Sequence, residues 1–191
     1  MVLWMSLEGE FMKLSVKSMC LCSLFAVLIG IGAFIKLPIS IVPITLQTLF
    51  VVLAGMLMKK KIAMISVLLY VGIGLIGIPV FANGGGISYV LQPSFGYLLG
   101  FIIAAYFVGW LSEGKKHFLP LLFSSMIGML MIYLVGVIYF ALLQHYVYHI
   151  DYSIGWLLYY LFLVYLPGDF ISCLVATWIA IRIKNTSILD E

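Results

Sequence analysis

Asp169 is the only acid of the chain that lies inside an apolar stretch, in the run LVYLPGDFIS. An ionisable side chain at membrane depth is costly and marks a functional site by default. With Pro167 at the first helical position, the same aspartate also sits in a first turn, where the helix dipole favours a carboxylate. The two readings are compatible, and as an acceptor Asp169 suits a ligand that offers N–H groups. Asn83 supplies a donor and acceptors from PVFANGGGISYVLQPSFGYLLGF, residues 79–101, and Thr45 and Gln47 do so from ITLQT. Amides and hydroxyls at span ends also cap helices. Lys36 either snorkels to headgroups or meets a ligand carboxylate. Tyr89, Tyr97, Tyr165 and Trp156 either wall a pocket or belong to interfacial aromatic belts. Gly84 and Gly85, with Gly86, permit positive φ or a close approach of backbone to a ligand. Residues 79–101 therefore read as a lid over a small-molecule pocket, against the alternative of a flexible loop outside the membrane.

Other chemistries lack their residues. No G-x-x-x-x-G-K-[ST] is present, so ATP has no P-loop here, and no H-E-x-x-H, G-x-S-x-G or Cys–His cluster is found. His117, His145 and His149 fall in loops, which leaves an intramembrane hydrolase without nucleophile and base. No chain of membrane acids of the kind that proton-coupled carriers use is present either, so uptake would draw its energy from elsewhere. Cys20, Cys22 and Cys173 have no metal-site spacing; Cys20 and Cys22 point to different sides of one helix and read as packing residues.

The elements that must position these groups are membrane helices. The 191 residues are 65% hydrophobic and 9% charged, against roughly 25% charged in a soluble domain. The expected fold is all-α, with six transmembrane helices in a domain over residues 14–184, an N-terminal extension over 1–13 and a cytoplasmic tail over 185–191. Spans are expected near 14–35, 45–58, 62–78, 94–111, 118–142 and 156–181, the last interrupted by Pro167, Gly168 and Asp169. The second, about fourteen residues, is short for a roughly 30 Å hydrocarbon core, so it is either tilted poorly or begins inside the protein. On the first span Ser18, Cys22, Ala26 and Gly30 recur every four residues, a small-residue strip that lets another helix come close, in the same chain or in a partner. Gly96, Gly100 and Ala104 form a second ladder.

Nine of the ten Lys and Arg residues fall on one side of this arrangement and only Lys36 on the other, which places both termini in the cytoplasm of a multi-pass cell-membrane protein in contact with lipid. The 36–47 turn, the 79–101 stretch and the 144–155 loop then share the outer face. A formal charge of +3 is too small and dispersed for nucleic acid.

GAFIKLPISIVPITLQTLFVVLAG (Gly32 to Gly55), GLIGIPVFANGGG (Gly74 to Gly86), PSFGYLLGF (Pro93 to Phe101) and LPGDF (Leu166 to Phe170) resemble the recurring motifs of the BioY family, in order over Gly32 to Ala180. These are the biotin-specific substrate-binding (S) components of energy-coupling factor (ECF) transporters. The resemblance implies the S-component fold, biotin as transported ligand rather than cofactor, no catalytic residues and no metal. It also implies a transmembrane coupling subunit and two ATP-binding subunits as partners. Asn83 and Asp169 resemble the positions that hold the ureido ring, Thr45, Gln47 and Tyr97 fall in motifs near the pocket, and the Ser18, Cys22, Ala26, Gly30 strip resembles the surface that docks the coupling subunit. The family usually reads P-G-D-x-x-K, with the lysine receiving the ligand carboxylate; here that position is Ser172. Either Lys36 substitutes, or affinity is weaker, or the ligand is another small vitamin or cofactor precursor.

Overall fold

The computed structural model describes residues 15–37 and 42–186. The expected extension over 1–13 lies outside these residues, as does most of the tail, although Asn185 and Thr186 are described. Helix α1 spans Val16–Phe34 and is followed by a two-stranded hairpin, β1 Lys36–Leu37 and β2 Ile44–Thr45, paired antiparallel with Lys36 opposite Thr45. Then come α2 Gln47–Leu57, α3 Lys60–Leu75, a 3-10 turn Ile87–Leu91, α4 Phe95–Leu111 and α5 Phe118–Tyr146. A five-residue helix, α6 Ile154–Leu158, widens into a π turn over Tyr159–Leu163 before α7, Leu166–Lys184.

Three stretches, Val16–Phe34, Phe118–Tyr146 and Ile154–Lys184, are long and apolar enough to cross a membrane. Helix α2, with 11 residues, rises only about 16 Å. It is short because it does not need lipid contact: Gln47, Thr48 and every residue from Val51 to Met56 are buried, and it packs against α1, α3, α4, α5 and α7. A helix apolar all round belongs inside.

Helices α4 and α5 form the most extensive pair, and the small ladder on α4 is the reason. A Cβ on Gly100 would stand 2.8 Å from Ile132 Cα, and one on Gly96 would stand 2.4 Å from Tyr139 Cβ. The strip on α1 is likewise turned inward. Cys22, Ala26 and Gly30 are buried inside this chain and Ser18 is partly covered. Cys22, Ala26 and Gly30 pack inside the chain and are not open to a partner, whereas Met19, Leu24, Val27, Ile31 and Phe34 make the open face. Cys20 is exposed and Cys22 buried, as two residues 200° apart on a helix should be.

Several boundaries differ from expectation: α3 stops at Leu75 rather than near 78, and α7 continues to Lys184 rather than 181. Helix α5 runs four residues past 142 because Leu143 to Tyr146 continue its hydrogen bonding. The interruption of the last span falls before Pro167, which occupies the first turn of α7. Proline lacks an N–H and crowds the carbonyl four residues earlier, so the distortion is absorbed upstream, at Tyr159 to Tyr165.

Candidate functional site

A partly open hollow lies where α2, α4 and α7 begin. Its walls and floor are Gln47 and Thr48 of α2, Tyr97, Leu98 and Phe101 of α4, Ile132 and Tyr133 of α5, and Tyr165 and Asp169 at the start of α7. Val42 to Thr45 of the hairpin form one part of its roof, and Ala82, Tyr89 and Ser94 of the α3–α4 connection form the other. Its free volume of about 40 Å³ is several times the roughly 10–15 Å³ that one water requires.

Asp169 is only 6% exposed and is the one charged residue among those lining the cavity. Tyr133 donates to its Oδ2 at 2.6 Å, and the Thr48 side chain is a second hydrogen-bonding neighbour. Gln47 donates from Nε2 to Tyr70 Oη at 2.8 Å, Tyr70 donates in turn to the Val80 carbonyl at 3.2 Å, and Thr45 Oγ1 donates to Gln47 Oε1 at 3.0 Å. The amide is thereby fixed between the hairpin and the lid. Tyr97 donates to the Leu161 carbonyl at 2.9 Å, satisfying a backbone acceptor in the π turn, where irregular backbone inside a membrane must find a partner. Tyr165 donates to the Val42 carbonyl at 2.5 Å and so ties the hairpin to α7. Ser94 donates to Tyr89 Oη at 3.0 Å. Burial pushes the Tyr89 phenol up, against the opposing effects of Ser94 and the Asn83 backbone, so its proton stays on.

The lid is seated by Phe81, 1% exposed, whose ring meets Tyr70 edge-on at 5.5 Å and Tyr89 at 4.5 Å. The glycines shape this loop. Gly84 and Gly86 hold φ of +117° and +101°, and a Cβ on Gly85 would stand 2.3 Å from the Ile78 carbonyl oxygen. Of the three, only Gly85 makes a close approach, to backbone at Ile78 and Gly74.

Thr45, Gln47, Tyr89, Tyr97 and Asp169 thus line the cavity, whereas Asn83, Gly84, Gly85, Lys36 and Ser172 do not. Asn83 is exposed, and its Oδ1 accepts from Lys36 Nζ at 3.3 Å. Lys36 also donates to the Ala82 carbonyl, lacing hairpin to lid across the cavity mouth. Ser172 is buried and donates to Gly168 O at 3.1 Å. Its hydroxyl is spent within its own helix. Tyr133 is absent from the sequence-based set, although a tyrosine in the middle of an apolar span, in MLMIYLVG, signals a hydroxyl that needs a buried partner. Thr48 is signalled by its place beside Gln47.

The BioY family's sequence model matches residues 7–188. A probable biotin transporter BioY of Lysinibacillus sphaericus is 48% identical over 130 residues, 65% of each chain. The biotin transporter BioY of Thermotoga maritima is 38% identical over 168 residues, 86% of this chain and 94% of that one. Among solved structures, the 2.1 Å crystal structure of the S-component for biotin from an ECF-type ABC transporter superposes with a TM-score of 0.78 at 26% identity, covering 92% of this chain and 94% of that chain. With a matched region that takes in every helix and the whole cavity, this multi-pass membrane protein belongs to the BioY family.

Proposed function

We propose that the chain is the biotin-binding S component of an ECF-type transporter. It captures the vitamin at the outer face and releases it inward when joined to a coupling subunit and two ATP-binding subunits; it makes and breaks no bonds itself. The observation that carries this reading is the buried Asp169, held by Tyr133 and facing a roofed hollow, in a chain whose relatives are named for biotin transport. A cyclic urea offers N–H donors to such a carboxylate, and Leu98, Phe101 and Ile132 give the hollow apolar walls.

Orientation follows from charge. Lys184 Nζ donates to the Ser112 and Lys115 carbonyls at 3.2 and 3.0 Å, and Lys60 lies 3.9 Å from Glu113. The basic residues therefore gather at the end of the bundle opposite the cavity. Excess Lys and Arg mark the cytoplasmic side, so both termini are cytoplasmic and the cavity opens outward.

Isothermal calorimetry on detergent-solubilised protein tests the substrate. A folded sample that binds no biotin at micromolar concentration removes the assignment. Asp169→Asn should weaken binding by roughly 1.5–3 kcal/mol, the worth of a hydrogen bond to a charged group, or about ten- to 150-fold in Kd. Unchanged affinity would leave Asp169 as a helix-start residue only. A second reading, an S component for another small vitamin, is favoured by the serine at position 172 and the lack of a cation among the lining residues. Competition of biotin against desthiobiotin, lipoate and thiamine separates the two.

A further inference from the structure

Three hydroxyls of cavity-lining tyrosines differ in what they do with their single proton. Tyr97 and Tyr165 give theirs to backbone carbonyls, Leu161 O and Val42 O. Tyr133 gives its proton to the Asp169 carboxylate, at 2.6 Å. Its ring is 2% exposed and is held edge-on against Phe162 at 5.0 Å and 79°, so the phenol has no room to swing away. An ionised carboxylate only accepts, through two oxygens with about four lone-pair sites; Tyr133 takes one site on Oδ2 and the Thr48 hydroxyl a second, and the remaining sites stay open. The three protons are all directed into the protein, which leaves this wall of the cavity presenting acceptors.

We infer that Tyr133 is a positioning residue for substrate recognition: by donating to Oδ2 it fixes the Asp169 carboxylate plane and turns the lone pairs that Tyr133 and Thr48 leave open toward an N–H of the ligand. This inference rests on the proposed reading of Asp169 as a ligand acceptor and adds the residue on α5 that aims it. It also sets the ligand class for this wall, since a group that can only accept would face oxygen lone pairs and be rejected, whereas a urea or amide N–H is taken.

The test is a double-mutant cycle in biotin affinity with Tyr133→Phe and Asp169→Asn. Tyr133→Phe alone should weaken biotin binding about tenfold, and the same change in the Asp169→Asn background should cost less than twofold. Biotin methylated at the ureido nitrogen that Asp169 serves should bind the unaltered protein weakly and lose nothing further in Tyr133→Phe. Equal losses in both backgrounds, or an equal loss for the methylated analogue, would make Tyr133 a structural residue and overturn the inference. Absence of biotin binding by the unaltered chain would overturn the substrate reading as well, so the two failures are distinct. Melting temperature reports the fold of each variant. An infrared measurement works even if Tyr133→Phe does not fold: with aspartate carboxylates labelled with carbon-13 and the Asp169 band assigned by subtraction of Asp169→Asn, biotin should shift that band. No shift refutes the role.

Discussion

Gly100→Ala tests whether the site depends on helix spacing rather than on cavity residues alone. Gly100 does not line the cavity, yet its added Cβ would lie 2.8 Å from Ile132 Cα and 2.9 Å from Ile132 O. Both are backbone atoms, so no rotamer change relieves the contact, which is about 0.6 Å tighter than ordinary van der Waals packing. The chain must separate α4 from α5 by a comparable distance. Ile132 and its neighbour Tyr133 both line the cavity, and Tyr133 reaches Asp169 on a different helix across a 2.6 Å bond. A displaced α5 stretches that bond while α7 stays. Overpacking of this kind costs about 1–3 kcal/mol. For a chain of 191 residues that is a fall in melting temperature of several degrees, at roughly 2–4 °C per kcal/mol. Scanning fluorimetry in detergent and biotin calorimetry should show a lower melting temperature together with a loss of affinity of at least fivefold. Gly72→Ala is the control, since a Cβ there meets nothing within 4 Å, and helix propensity favours the alanine by about 0.5–1 kcal/mol. If Gly100→Ala melts within a degree of the unaltered protein and keeps its affinity within twofold, the claimed coupling of helix contact to the site is wrong.

Two further outcomes concern the roof. Lys36→Gln removes the charged donor that laces β1 to Ala82 and Asn83. At an exposed site this is worth about 0.5–1.5 kcal/mol, so dissociation of radiolabelled biotin should quicken by about two- to twelvefold, and identical rates would show that the lacing does not hold the roof. Gly85→Ala drives a Cβ to within 2.3 Å of the Ile78 carbonyl oxygen, which unseats the loop that carries Phe81; biotin affinity should fall more than tenfold, and retention of full binding would show that the lid tolerates another path.

The helix order was legible because most apolar runs end in lysines, prolines or glycines, and because LPGDF carries its own start signal, a proline followed by a first-turn acid. The brevity of the TLQTLFVV helix was legible too, since its fourteen expected residues fall short of a bilayer; only the structure shows the reason, burial on all sides. Cavity membership was harder. Asn83 reads as a ligand group from its donor and acceptors and from the family motif, whereas in the structure it is exposed and its Oδ1 accepts from Lys36. Local sequence carries no record of that contact. Tyr133 sits in an apolar run on α5, thirty-six positions before its partner Asp169; only helix packing brings them together. The small strip on α1 shows the same ambiguity, because a motif for close approach does not say whether the approaching helix belongs to the same chain.

The placement of the cavity also explains how the chain tolerates a buried acid with no lining cation. Helices α2, α4 and α7 all begin at the hollow, contributing Gln47 and Thr48, then Ser94, Tyr97 and Leu98, then Tyr165 and Asp169 to its lining. Each helix start carries roughly half a positive charge on its unpaired N–H groups. An acid at the meeting point of three such ends is favoured by their dipoles, and Tyr133 and Thr48 hydrogen-bond it. The short α2 is what makes the meeting possible: because it starts within the bundle rather than at the lipid surface, its N-terminus lies in the same hollow as the first turn of α7, under the roof that the hairpin and lid close.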